Sequence, residues 1–292
     1  MNTFLAPGWD ERLDRLRLGI QPVDALADLP GPLDAPAGIA VHLETVPRPH
    51  PVPQPSADPH RPTDGAGLPL LRRSPTGRFA VLVGSRRTDA PARLDVRIVD
   101  GARRYVPRRL SVPVPDVAAI LAADEGGPFP DRACRPALFP GATYGVSTGA
   151  TAVRGRVLWS SDGAPAQWAR VEARLSGTQA VSWRAHADQR GEFLLLVGTL
   201  RLQQAMARTG TLDLDVTVRA RPRPASSAPV DSPTGSRADP LWHLPVERVG
   251  TLTPGDPVTA GTAVPPGYTA TLTRAVRCRR GHVVRPDPFV LP

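Results

Sequence analysis

Apolar and polar residues trade places along this chain mostly in steps of two. Residues 93–100, RLDVRIVD, put Leu94, Val96 and Ile98 on one face and Arg93, Asp95 and Arg97 on the other. That alternation predicts a half-buried strand. Residues 211–217, TLDLDVT, alternate likewise, which sends Asp213 and Asp215 to the solvent face. Two continuous apolar runs nearly rhyme: TGRFAVLVG at 76–84 and RGEFLLLVG at 190–198. Each enters through Gly and a charged residue, carries Phe and four aliphatics, and leads to an alternating strand. The rhyme has two readings, duplication of a β module or a generic way of entering a buried strand. A period near 3.6 is rarer. In GWDERLDRLRLGI, residues 8–20, Trp9, Leu13, Leu16 and Ile20 recur at helical spacing, which predicts a short amphipathic helix. DVAAILAA predicts a second one, capped by Asp116.

These segments group into blocks. Residues 1–67 form a short helix followed by a Pro-rich arm, VPRPHPVPQPSADPHRPTDGAG, with the look of an extended spacer. Residues 68–114 are a first β module, with Pro107 and Pro113 marking an edge strand or a strand end. Residues 115–150 connect, and their Phe139 and Tyr144 are candidates to plug a gap between modules. Residues 151–222 form a second β module, in which strands recur every 8–12 residues or so, with turn chemistry between, as in a sandwich. There SDGAP and DQRG supply turns, and LRLQQAMARTG is a helical turn or an excursion. Residues 223–292 are a Pro-rich spacer and C-terminal strands that pack back. The fold class is therefore all-β: two small β-sandwich-like modules, long Pro-rich irregular segments, and one or two short helices.

Composition fits this picture. The 292 residues hold 36 prolines, which break helices and confine strands to short or edge positions. The net charge of +9 rests on 36 basic residues, all arginine. The absence of Lys, a single Asn and abundant Ala, Gly and Pro point to GC-rich coding. Basicity is then a poor sign of nucleic-acid binding, and the scattered arginines lack interleaved aromatics or a known DNA-binding motif. No run approaches the roughly 18 apolar residues of a membrane span. The N-terminus does not read as a signal peptide, so the expected compartment is the cytoplasm, with Cys134 and Cys278 reduced.

Candidate chemistry is thin. His186 and Asp188 are two apart and share a strand face, but no nucleophile elbow is nearby, and Asp188 fits the first position of the DQRG turn. Cys278, His282 and Cys134 make at most three ligands, and a structural zinc site needs four. No phosphate-binding or dinucleotide fingerprint occurs. No cofactor, metal or enzymatic activity is expected. The arginine clusters stand out: Arg103, Arg104, Arg108 and Arg109 flank YVP, and Arg277, Arg279 and Arg280 surround Cys278. They read as solvated faces or as docking surfaces for an acidic partner. Trp9, Arg108, Arg109 and Trp242 are the interface candidates. Trp159, Trp168 and Trp183 would form a stacking platform for carbohydrate or another cell-surface polymer if exposed, which is the alternative function.

VRGRVLWSSDGAPAQWARVEA, followed by AHADQRGEFLLLV, resembles the carboxypeptidase regulatory-like domain, a transthyretin-like, Ig-like sandwich. The matching elements are the Gly155 strand, the Gly163-Ala164-Pro165 turn, the strand through Val171, and the Asp188 to Phe193 turn. The resemblance covers about a quarter of the chain and implies an accessory module without catalytic residues. In order along the chain, SPTGRFAVLV, RRYVPRRLSVPV, ALFPGATYGV, RGRV, RGEFLLLV, DPLWHLPVE and PPGY are similar to a protein of phage-tail-like contractile injection systems. That similarity implies a structural cap, tube-end adaptor or baseplate accessory. Its partners would be tube, sheath or baseplate proteins, or further copies of itself.

Overall fold

A computed structural model describes residues 14–26, 36–44, 71, 73–75, 77–84, 92–126, 131–181, 183–197, 210–222, 241 and 243–292. They form an all-β protein with two sandwiches. The first holds β1 (Asp14–Ile20), β2 (Val23–Asp24), β3 (Ile39–Leu43), β4 (Phe79–Gly84), β5 (Arg93–Asp100) and β6 (Arg108–Pro113). Helix α1 (Val117–Asp124), then β7 (Ala133–Cys134) and β8 (Ala137–Leu138), complete it. The second holds β9 (Ala152–Trp159), β10 (Arg170–Leu175), β11 (Trp183–His186), β12 (Glu192–Leu196), β13 (Thr211–Ala220), β15 (Ala270–Arg279), β16 (Val283–Val284) and β17 (Phe289–Leu291), and between β13 and β15 the chain forms β14 (Val246–Arg248), which joins the first.

Each sandwich buries its alternating residues between two sheets. In the first, Leu18, Ile20, Val41, Phe79, Val96, Ile98, Leu110 and Cys134 share one core. In the second, Val153, Val157, Val171, Phe193, Leu214, Val216, Cys278 and Phe289 do. The two cysteines are free and buried in different cores. Helix α1 forms as expected, with the Asp116 side chain accepting the Ala118 N–H.

The expected helix over 8–20 is corrected. Its residues 14–20 are strand β1, antiparallel to β4, and residues 8–13, including Trp9, lie outside the described residues. Leu16, Leu18 and Ile20 also satisfy period two, and pairing with β4 decides between the periods. A bulge between Leu16 and Leu18 leaves Leu16 42% exposed while Arg17 and Leu18 are buried. The module limits are corrected too. Among their described residues, 68–114 supply only β4, β5 and β6, too few strands to cover Phe79 and Ile98. The first sandwich recruits β1 and β3 from the stretch expected to be an arm, and β7 and β8 from the connector. The second extends through β15, β16 and β17.

The two sandwiches share a core topology, to which the second adds β11, antiparallel to β10. In the first, β1 lies between antiparallel β4 and parallel β7, while β5 lies between antiparallel β3 and β6. In the second, β9 lies between antiparallel β12 and parallel β16 and β17, while β13 lies between antiparallel β10 and β15. Even the interruption of the parallel closing strand recurs: β7 and β8 in one copy, β16 and β17 in the other. Three bonds recur in the rhyming turns. Ser74 N–H donates to Arg78 O, Gly77 N–H to Ser74 O, and Arg78 N–H to Ser74 Oγ. Asp188 N–H donates to Glu192 O, Gly191 N–H to Asp188 O, and Glu192 N–H to Asp188 Oδ1. Gly77 and Gly191 both sit at positive φ, 76° and 70°, which only glycine adopts without strain.

Candidate functional site: the seam between the sandwiches

The connection between β13 and β15 does not stay on its own sandwich. Its strand β14 adds in parallel to β6 of the first, with Glu247 opposite Leu110. This covers an edge that would otherwise expose unpaired N–H and C=O groups. It also brings Glu247 between two arginines. Arg108 donates Nε and Nη2 to its two carboxylate oxygens at 3.0 Å each. Arg170, on β10, reaches Glu247 Oε1 at 3.1 Å. The remaining Arg108 donors go to the Ala137, Val258 and Thr259 carbonyls. All three side chains are at most 4% exposed. Burial pushes the Glu247 carboxyl up, but Arg108 and Arg170 more than offset this, and its pKa ends below the ordinary value.

A second such triad lies on the opposite face of β6, because successive strand residues point to opposite sides. Arg109 donates Nη2 to Glu44 Oε2 at 2.7 Å and Nη1 to the Leu244 carbonyl at 3.1 Å. Arg97 donates Nε to Glu44 Oε1 at 2.7 Å. The planar guanidinium fork suits both arrangements, since two parallel donors match a carboxylate.

Aromatic contacts fill the rest. The Phe139 ring stacks on His186, 3.9 Å between centroids and 24° between planes. Gly261, at φ +68°, lies so close that a Cβ there would collide with Phe139. Val106, Trp168 and Leu244 form a small cluster of their own, and the Tyr268 hydroxyl donates to the Trp168 carbonyl at 2.9 Å. His186 is fully buried. Burial first, then the neighbouring Arg170 and Arg108 charges, drive its pKa well below the ordinary 6.5.

Phe139 thus sits between the modules as its sequence position suggested. Tyr144 packs against the first core and donates its hydroxyl to Asp24 at 3.0 Å. Arg108 and Arg109 are corrected: both are buried against acids of the same chain, on opposite faces of β6, because Glu247 and Glu44 complete their forks. Trp9 and Trp242 lie outside the described residues. The stacking platform is also corrected, since Trp159 is 8% and Trp168 2% exposed and Trp183 is half-buried against the core. Asp188 serves its turn, accepting the Arg190 and Glu192 N–H groups. Arg277 pairs with Asp213 at 2.7 Å on the surface, while Arg279 and Arg280 are exposed. Glu247, Glu44, Arg170 and Arg97 were not anticipated. Their only sequence signal is a lone acid inside short apolar segments, AVHLE and LPVERV.

Among the described residues, no three His, Cys, Asp or Glu side chains come together as metal ligands, and no helix is long and apolar enough to cross a membrane. A scan of protein-family models and searches of curated proteins and solved structures return no match.

Proposed function

We propose that this chain is a non-enzymatic structural adaptor of a phage-tail-like contractile injection particle, a cap, tube-end adaptor or baseplate accessory. One observation carries the structural part of this reading. The connection between β13 and β15 adds β14 to the sheet of the first sandwich, and the join is held on one face of β6 by the Arg108–Glu247–Arg170 triad and on the other by the Arg109 bond to the Leu244 carbonyl. Ion pairs excluded from water hold a fixed geometry, because each fork accepts one register. That suits a part that transmits position between neighbours. The particle itself enters through the resemblance of the chain's motifs, in their order, to a protein of such systems. The partners would be tube, sheath or baseplate subunits.

The test is affinity recovery of the tagged protein from native lysate, with mass spectrometry and electron microscopy. Recovery of tube, sheath or baseplate proteins, together with particles that lose integrity when the chain is deleted, supports the reading. A monomer that brings down none of them defeats it.

A further inference from the structure

Strands β6 and β15 are equivalent: each follows the central strand of its sheet and pairs with it antiparallel. Their outer edges differ. That of β6 is taken by β14. That of β15 is open among the described residues along ten positions. Arg280 N–H donates to Gly210 O, and β15 pairs with β13 from Thr211↔Arg279 to Ala220↔Ala270. The alternation of an antiparallel ladder then turns the even-numbered residues of β15 toward β13. The backbone groups of Thr271, Thr273, Ala275, Arg277 and Arg279 point outward. No bond from these N–H groups to a described residue is formed. Nor does the inner side block them: Arg274 lies over the Phe289 ring, 4.1 Å from its centroid, and bonds the Asp287 and Pro288 carbonyls, closing the sandwich beneath the edge.

A long edge without proline is a template for another strand. We propose that the outer edge of β15 docks an extended, acidic segment of a partner protein, which joins the sheet as a fifth strand. The proposal deepens the adaptor reading and rests on it. Two features select the occupant. The strand that fills the equivalent edge in this chain carries its glutamate at the centre, VER, set between arginines. The open edge ends in an excess of positive charge: Arg277, Arg279 and Arg280 are exposed, with Asp213, paired to Arg277, the acid beside them. Main-chain bonds would supply affinity and the arginines would select acidic side chains.

The probe is the peptide acetyl-TEVEVEVT-amide, titrated into the full chain, with acetyl-TKVKVKVT-amide as control. The acidic peptide is expected to bind at least about tenfold more tightly, with affinity falling as salt rises. Bound peptide is expected to slow amide exchange at Thr271, Thr273, Ala275, Arg277 and Arg279. Two variants test the edge. Ala275→Pro removes one outward N–H while sparing the bonds to β13, and should weaken binding about tenfold. Arg277→Glu with Arg279→Glu should abolish the preference for the acidic peptide. Circular dichroism identifies folded variants, and if Ala275→Pro does not fold, the charge-reversal variant decides. No saturable binding by the wild type, equal binding of both peptides, or unchanged binding by a folded variant overturns the proposal. Recovery of particle proteins alongside failed peptide binding rejects the edge alone. Peptide binding without particle proteins rejects the adaptor reading.

Discussion

Replacing Glu247 with Gln tests the seam most directly. The carboxylate accepts three charge-assisted bonds, from Arg108 Nε and Nη2 and from Arg170 Nη2, at 3.0–3.1 Å. Without its charge, two guanidiniums 1% and 4% exposed face each other with no counter-ion. Breaking a buried pair from one side costs about 3–5 kcal/mol. For a chain of this size, that lowers the melting temperature by roughly 6–20 °C. Urea unfolding followed by circular dichroism should show the midpoint falling by at least about 1 M. The exposed Asp213–Arg277 pair is the internal control, since Asp213→Asn should leave the midpoint where it is. The triple change Arg108→Met, Glu247→Leu and Arg170→Met should recover most of the loss, because apolar residues of similar volume avoid the desolvation of three charges. If Glu247→Gln costs under about 1 kcal/mol, the triad behaves as a surface pair, and the argument for a locked seam fails.

Acid should loosen the same seam through His186. Its folded pKa lies well below 6.5, so below pH 6.5 the unfolded chain takes up a proton that the folded chain refuses. Stability present above pH 6.5 is then lost at up to about 1.4 kcal/mol per pH unit as pH falls toward the folded value. Unfolding midpoints measured from pH 7.5 to 5 should fall for the wild type and stay flatter for His186→Leu; parallel curves would refute this. The depressed Glu247 pKa acts lower, since its contribution is full above the ordinary carboxylate range and is lost only as pH falls through the folded value. Gly261→Ala should destabilise by about 1–3 kcal/mol, from a strained positive φ and a collision with Phe139, read as a lower melting temperature. Native Cys134 and Cys278 should resist a thiol reagent and react only on denaturation. Burial pushes their pKa values up to about 12 and about 11, so little thiolate forms at neutral pH.

Strong alternation was readable in advance. RLDVRIVD and TLDLDVT lie in β5 and β13 with the expected residues inside, and Asp116 announced α1 by its capping chemistry. The start of the chain misled because Leu16 and Ile20 fit both periods, and only pairing with β4 decides for the strand. The closing strands β7, β8, β16 and β17 are two or three residues each, too short to show any period, so module limits drawn from periodic segments fell short at both ends. The site was half legible. Arg108 and Arg109 were marked as consequential, but their partners Glu247 and Glu44 lie 139 and 65 residues away. Only the topology brings these charges together.

The rhyme between residues 76–84 and 190–198 gains its meaning from that topology. Chance entry into two buried strands would explain a shared Gly and Phe. It would not explain the same order of antiparallel and parallel neighbours around β1 and β9, and around β5 and β13. Nor would it explain turns in which Ser74 Oγ and Asp188 Oδ1 accept the same backbone N–H. One requirement is met there by two side chains, so the backbone path was kept while the residue changed. Duplication of one β module accounts for all three observations. It also sharpens the contrast at the edges. One copy has its outer strand completed by an insertion from the other, at the cost of burying three charges, whereas the equivalent strand of the other copy has no such cover among the described residues. A tandem built only for stability would gain by covering both, since an open edge invites unwanted pairing. Among the described residues the two copies thus differ at one edge, and that difference is what the peptide titration on β15 tests.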